Sequence, residues 1–146
     1  MLKTESGLED LSSFVLYNVT RIVHIFRAFS EDGRYPDLPE LDKINLGENL
    51  AQQEEFELVF DHIAEYEGLL DTIVQDLEQG QAKVHLLIQF MVGLSRAFSR
   101  YYNRFKILKD VDEPSKMFAR LYLIKAVRLV LVHGLAIMDI QPINNM

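Results

Sequence analysis

In two long stretches of this chain the apolar residues recur at steps of three and four. Leu11, Val15, Val19, Ile22 and Phe26 follow that rule, as do Val84, Leu87, Ile88, Met91, Leu94 and Phe98. Such steps line up side chains on one face of an α-helix, whereas a half-buried strand needs strict alternation. No convincing alternation and no internal repeat is present, so the chain is constrained to an all-α fold. The spacing predicts helices over Leu8–Phe29, from a cap at Asn49 through Tyr66, over Leu69–Glu78, from Ala82 to about Tyr102, and over Lys116–Met138. In the second of these, Phe56, Val59, Phe60 and Ile63 form the expected buried side. Gly68 reads as an interruption and Gly80 as a C-terminal glycine. "EDGRYPDLPELDKINLGEN" and "KILKDVDEPS" read as loops, and Pro142 marks a short non-helical tail. The expected architecture is a helical bundle of about five helices.

The 146 residues suit one domain, 1–146. The absence of cysteine excludes a disulfide framework and a thiolate metal site, and fits a reducing compartment. The first ten residues are polar and acidic, unlike a secretory signal. The longest apolar run, "LVLVH", is far short of the roughly 20 residues that span a bilayer. A cytoplasmic protein without membrane contact is expected. The seven glycines are scattered, so no phosphate-cradling loop exists. His24, His62, His85 and His133 lack a second ligand at the spacing of a helical metal site, and His24 and His133 are expected to be buried or at packing edges. Asp61 and Glu65 in "DHIAE" read as a solvated acidic face. Ser95 and Ser99 have no activating partner in the sequence. No catalytic residue, metal or cofactor is expected.

The net charge of −7 averages over two unlike halves. Met1–Gly80 holds 5 Lys+Arg against 18 Asp+Glu, a net of −13; Gln81–Met146 holds 10 against 4, a net of +6. The basic half suggests an anionic partner, and the alternative is two solvated faces that attract each other on folding. The stretch "SRAFSRYYNRFKIL" sharpens the choice. Arg96, Arg100 and Arg104 fall four apart, as one ridge on a helix, with Tyr101 and Tyr102 among them and Lys106 and Lys109 beyond. Lys116, Arg120 and Arg128 add a second basic stripe on the last helix. Lys and Arg displace counterions from phosphates. Aromatic faces stack single-stranded bases, worth about 1–3 kcal/mol per base. The competing view is that the arginine stems cover core edges with their heads in water, and that Tyr101 is simply core.

Three segments then carry a resemblance: "FVLYNVTRIVHIF" (Phe14 to Phe26), "FSRYYNRFKIL" (Phe98 to Leu108) and "MFARLYLIKAVRLVLVHGLAIMDIQPINNM" (Met117 to the end). Together they resemble the DALR anticodon-binding domain, the C-terminal helical domain of arginyl-tRNA synthetases. That family combines a first helix with "YxxxR", an acidic variable middle, a helix ending in a tyrosine motif, and "RLxLxxAxxxVLxxGLxxLGI" before a terminal methionine. Here the closing motif reads Arg120-Leu121, Leu123, Ala126, Val130-Leu131, Gly134-Leu135 and Met138-Asp139-Ile140, with Asp139 where the family has glycine. The wording "SRYYNRFKIL" followed by "MFARLYLIKAVRLVL" is closer to a non-synthetase branch. That resemblance implies a tRNA reader for arginine isoacceptors that partners a tRNA 3-methylcytidine methyltransferase, forming the C-terminal domain of a longer protein.

The resemblance also implies site residues. Phe14 and Arg21 match an aromatic and an arginine seven residues apart that contact the anticodon loop; Tyr102 matches an aromatic closing the fourth helix, and Met146 the terminal methionine. Phe14 stands where the family has tyrosine, which keeps the stacking face and loses the hydroxyl. The basic ridges add Arg100, Arg104, Arg120 and Arg128. Arg120 has two readings, a phosphate contact or a pairing inside the fold. Two functional alternatives stand beside the tRNA reader. One is the anticodon-binding domain of an arginyl-tRNA synthetase. The other is a protein-interaction module whose RNA surface has decayed, favoured by the acidic middle. Salt separates that last reading from the first, because phosphate contacts weaken steeply with ionic strength.

Overall fold

The computed structural model describes residues 5–81, 83–109 and 113–138, with side chains from residue 10 onward. Helix α1 spans Glu5–Glu31. After a 3-10 turn at Leu41–Lys43 come two single helical turns, α2 (Leu46–Asn49) and α3 (Gln53–Phe56). The chain continues through a π-helical turn, Glu57–His62, and a 3-10 turn, Ile63–Glu65, into α4 (Tyr66–Glu78). Helices α5 (Val84–Arg104) and α6 (Pro114–Ile137) complete the order, and no strand occurs among the described residues.

The core lies where α1, α5 and α6 meet. Val15, Val19 and Ile22 come from α1, Leu87, Met91, Leu94 and Phe98 from α5, and Leu121, Ile124, Val127 and Leu131 from α6. All are buried, as their three- and four-residue steps predict. Pro114 opens α6, where its missing N–H costs nothing. A Cβ on Gly134 would stand 2.6 Å from Met91 Sδ, so α5 and α6 approach closely there. Gly80 ends α4 with φ +80°, a left-handed conformation that glycine adopts freely. The Gln81 and Gly80 N–H groups donate to the carbonyls of Asp76 (2.7 Å) and Leu77 (3.0 Å), closing the helix end.

The middle of the chain departs most from its sequence reading. Asn49 does not cap the run through Tyr66 but ends α2, which Asn45 caps by accepting the Glu48 N–H on Oδ1 at 3.0 Å; the run itself starts at Gln53, with Gln52 as its cap. Gly68 lies inside α4 and does not interrupt it. The expected buried side holds for Val59 and Ile63, which pack half-buried against the core, and fails for the two phenylalanines. Phe56 and Phe60 are 45% and 61% exposed, while Leu58 and Glu55 are fully buried. A π turn places its hydrogen bonds one residue further on than an α-helix, which shifts the phase of the following side chains. Phe60 lies within this turn and Phe56 before it, and Glu55 and Leu58, three residues apart, take the inward face instead. Pro142 lies outside the described residues.

Candidate nucleic-acid interface

Arg21 stands on the edge of α1 that faces α5. Its Nη1 donates to Ser99 Oγ at 3.2 Å and reaches Asn18 Oδ1 at 3.5 Å, and its Nη2 donates to the Tyr17 hydroxyl at 2.9 Å. Its guanidinium carbon lies 4.4 Å from the Tyr17 ring centroid and 4.5 Å from that of Tyr102. Guanidinium against an aromatic face is attractive, by roughly 0.5–2 kcal/mol. Every one of these partners is neutral, and no described carboxylate pairs with Arg21. The side chain is thus held in place with its full positive charge, and both tyrosine rings are exposed.

The same edge of α1 and the end of α5 border a cleft of about 530 Å³. Arg21, His24, Tyr102, Arg104 and Lys106 line it, with Phe105 and Ile107 at the apolar side. Its size falls within the roughly 300–1,000 Å³ of ordinary ligand clefts. Its chemistry is cationic and aromatic with no acidic lining residue. Phe14 lies two turns before Arg21 on the same edge of α1, about 10 Å along the axis. It is half-buried, and its carbonyl accepts from Asn18 Nδ2 at 3.0 Å, linking it to the Arg21 cluster.

Arg104 lines the cleft and forms an ion pair with Glu54 of α3. Its neighbour Glu55 makes a different pair. Glu55 Oε2 accepts from Arg120 Nε at 2.8 Å and from the Tyr101 hydroxyl at 2.5 Å, and Glu55 Oε1 accepts the Gln52 N–H at 3.0 Å. Arg120 is 7% exposed. Of its two readings, the fold selects pairing inside the bundle, where its charge is not available to a phosphate. Tyr101 is core, and burial together with the adjacent carboxylate pushes its hydroxyl well above the ordinary tyrosine pKa.

The other sequence-predicted positions scatter. Arg96, Arg100 and Arg104 do form one row on α5, turning by about 40° per step and all exposed, but only Arg104 lines the cleft. Arg100 is exposed on the side of α5 that meets the π turn. There burial lowers the His62 pKa, Asp61 opposes the shift, and Arg100 adds to it. Arg128 is half-buried in a separate cleft of about 400 Å³ with Val23, Phe26, Leu38 and Lys125. Met146 lies outside the described residues. Sequence reading missed three contributors. Tyr17 is signalled by its four-residue spacing to Arg21 within "YxxxR". His24, expected to be buried or at a packing edge, is exposed at the cleft. Ser99 has no local signal, since its partner is 78 residues away. Among the described residues no cluster of His and carboxylates is arranged to hold a metal ion, and no helix is long and apolar enough to cross a membrane.

An all-α chain with this cleft has clear relatives. A family model described as "DALR anticodon binding domain" matches residues 15–146, and the chain belongs to that family. It is 33% identical to the zebrafish (Danio rerio) DALR anticodon-binding domain-containing protein 3 over 144 residues, covering 89% of this chain and 25% of the relative. The rat (Rattus norvegicus) protein of the same name is 32% identical, over 97% of this chain and 27% of the relative. An arginine–tRNA ligase from Aquifex aeolicus is 30% identical, over 97% of this chain and 23% of the relative. The chain thus spans about a quarter of the length of these curated relatives. No solved structure matches it significantly.

Proposed function

We propose that this chain is a non-catalytic module that binds the anticodon region of arginine tRNAs in the α1–α5 cleft. The observation that carries the reading is Arg21, fully charged, held by neutral groups against two exposed tyrosine rings beside an open cationic cleft. Anticodon loops are single-stranded, and their splayed bases stack on aromatic faces while their phosphates seek cations. Phe14, Tyr17, Arg21 and Tyr102 would meet bases and adjacent phosphates, and Arg104 and Lys106 the backbone that follows. Arg128 lies in a separate cleft and Arg100 one turn back along α5 from Arg104, outside the cleft lining, so both would serve only a longer RNA path. Met146 is kept as a proposed contact on the family resemblance alone.

The test compares an arginine tRNA with an unrelated tRNA at two salt concentrations, on the native chain and on Arg21→Ala. Preference for the arginine tRNA, weakened by salt and reduced about tenfold (about 1.4 kcal/mol) in the variant, is the expected result. Equal affinity of native and variant chains, with the helical spectrum intact, would remove the cleft as the site.

Within this reading the longer protein acts in the cytoplasm, in keeping with the cysteine-free chain. It serves as the tRNA-recognising partner of a tRNA 3-methylcytidine methyltransferase, with this chain as its C-terminal domain. The likeness to an arginine–tRNA ligase favours a second reading, the anticodon-binding part of such a ligase. Two assays of the full-length protein separate them. Stimulated 3-methylcytidine formation on arginine tRNA by a purified methyltransferase supports the first, and arginylation without added ligase supports the second.

A further inference from the structure

We propose that a second cationic cleft, on the far side of α1 from Arg21, docks an acidic segment of a protein partner in which carboxylates flank large apolar side chains. The cleft, about 400 Å³, is walled by Val23 and Phe26 of α1, Leu38 of the loop that follows, and Lys125 and Arg128 of α6. It shares no lining residue with the cleft beside Arg21. Val23 and Phe26 project about 140–200° around α1 from Arg21, at 100° per residue. Both are half-buried, as is Leu38. Leu38 lies between Pro36 and Pro39, whose rings restrict the backbone. The Pro39 carbonyl accepts from the Tyr122 hydroxyl of α6 at 2.6 Å. Upstream, Tyr35 stacks on Phe29 of α1 with ring centroids 5.7 Å apart. The loop is thus pinned to both helices, and a wall set in advance lowers the ordering cost of binding.

Charge and wall chemistry together select the occupant. Among the described residues, the charged groups that line the cleft are Lys125 and Arg128, both cations. Three apart on α6, they share one face and repel. Neither is in an ion pair among the described residues. The Lys125 Nζ has a neutral neighbour, the Tyr122 ring, 5.9 Å from its centroid. Arg128 Nε is buried with no hydrogen-bond partner among the described residues, a state that folded proteins seldom leave standing. Arg27 and Asp37 adjoin Phe26 and Leu38 in sequence, but both are exposed, neither lines the cleft, and their charges cancel. A carboxylate at the Arg128 guanidinium relieves the repulsion and meets the unpaired charge. The apolar walls require that it arrive with an apolar group beside it, which a peptide supplies and a sugar–phosphate backbone does not. A place behind α1 also takes the cleft off the line of an RNA strand seated against Arg21 and Tyr102. The proposal does not depend on the RNA-binding reading.

The probe is a fluorescent synthetic peptide with the core Glu-Leu-Phe-Glu in a glycine–serine background. One control carries glutamine in place of both glutamates, and the other carries serine in place of leucine and phenylalanine. The acidic apolar peptide is expected to bind the full chain at least about tenfold (about 1.4 kcal/mol) more tightly than either control, with a preference that weakens with salt. Arg128→Gln should remove the preference for glutamate over glutamine and leave the affinity for the glutamine peptide unchanged. Lys125→Gln, at an exposed site where the fold persists, should reduce the same preference by a smaller factor. Arginine tRNA in excess should not displace the peptide. Equal binding of the three peptides overturns the proposal. So does a glutamate preference that survives intact in both variants. Displacement by tRNA would give the cleft to RNA and overturn it. A concentration-dependent dimer in sedimentation that Arg128→Gln abolishes would assign the cleft to a second copy and overturn it as well.

Discussion

Tyr101 and Tyr102 are neighbours in sequence and belong to two different clusters of arginine and tyrosine. Tyr101 points inward to Glu55 and Arg120, where a carboxylate neutralises the arginine and every charged group is buried. Tyr102 points into the cleft against Arg21, where the arginine has only neutral partners and its charge is left unpaired among the described residues. The same two residue types thus build a closed structural lock and an open binding surface, about 100° apart around one helix. What separates them is the carboxylate: present, the arginine belongs to the fold; absent, it is free for a ligand. Glu54 and Arg104 lie between these extremes, a carboxylate 18% exposed holding an arginine that is 65% exposed at the cleft.

The largest effect should come from breaking the lock. Arg120→Met leaves Glu55 buried without its cation and is expected to cost about 3–5 kcal/mol, whereas adding Glu55→Leu should restore much of it. Urea unfolding of both variants checks this, and an unchanged midpoint for Arg120→Met would show that the pair does not hold the bundle together.

A paired substitution at the two tyrosines sharpens the contrast. Tyr101→Phe takes one donor from a buried carboxylate and should lower stability by about 1–3 kcal/mol. It should leave RNA affinity intact in the folded protein. Tyr102→Ala should do the reverse, removing a stacking face worth about 1–3 kcal/mol of binding with little change in melting temperature. The comparison collapses if the two variants affect the same property.

Glu54→Gln tests the intermediate case. An exposed pair contributes about 0–1 kcal/mol to stability, so the melting temperature should barely move. Arg104, released, should raise RNA affinity by up to about fivefold, the equivalent of that energy, and the gain should vanish at high salt. A lower affinity would instead mean that Glu54 orients Arg104 for binding.

The smallest effect concerns Arg100. His62 has its pKa held below the ordinary value near 6.5, so the unfolded chain takes up this proton first. Stability from neutral His62 is therefore present above about pH 6.5 and declines as pH falls below it. Arg100→Gln should raise the His62 pKa slightly in an NMR titration while leaving RNA affinity nearly unchanged. A large loss of RNA binding would extend the interface one turn back along α5 from Arg104.

Much of this was legible in the chain. The three long helices follow from periodicity to within a few residues, because burial of one face imposes a repeat near 3.6 on the sequence. The family follows from motifs at the two ends, and Arg21 and Tyr102 from their place in those motifs. The stretch from Asn45 to Glu65 was not legible, whereas the end of α4 at Glu78 and its closing Gly80 were. A π turn has no composition signal of its own, and the inward positions here are Glu55 and Leu58 rather than Phe56 and Phe60.

The sequence by itself determined where helices form, which faces of α1, α5 and α6 are apolar, and which residue types are available to meet an anion. Only the tertiary structure decided which arginine is left without a carboxylate partner. That choice depends on Glu55 reaching Arg120 across 65 residues and on Ser99 reaching Arg21 across 78. Helical phase is a local property, whereas neutralisation depends on what a second helix brings within about 3 Å of a side chain, the reach of a hydrogen bond.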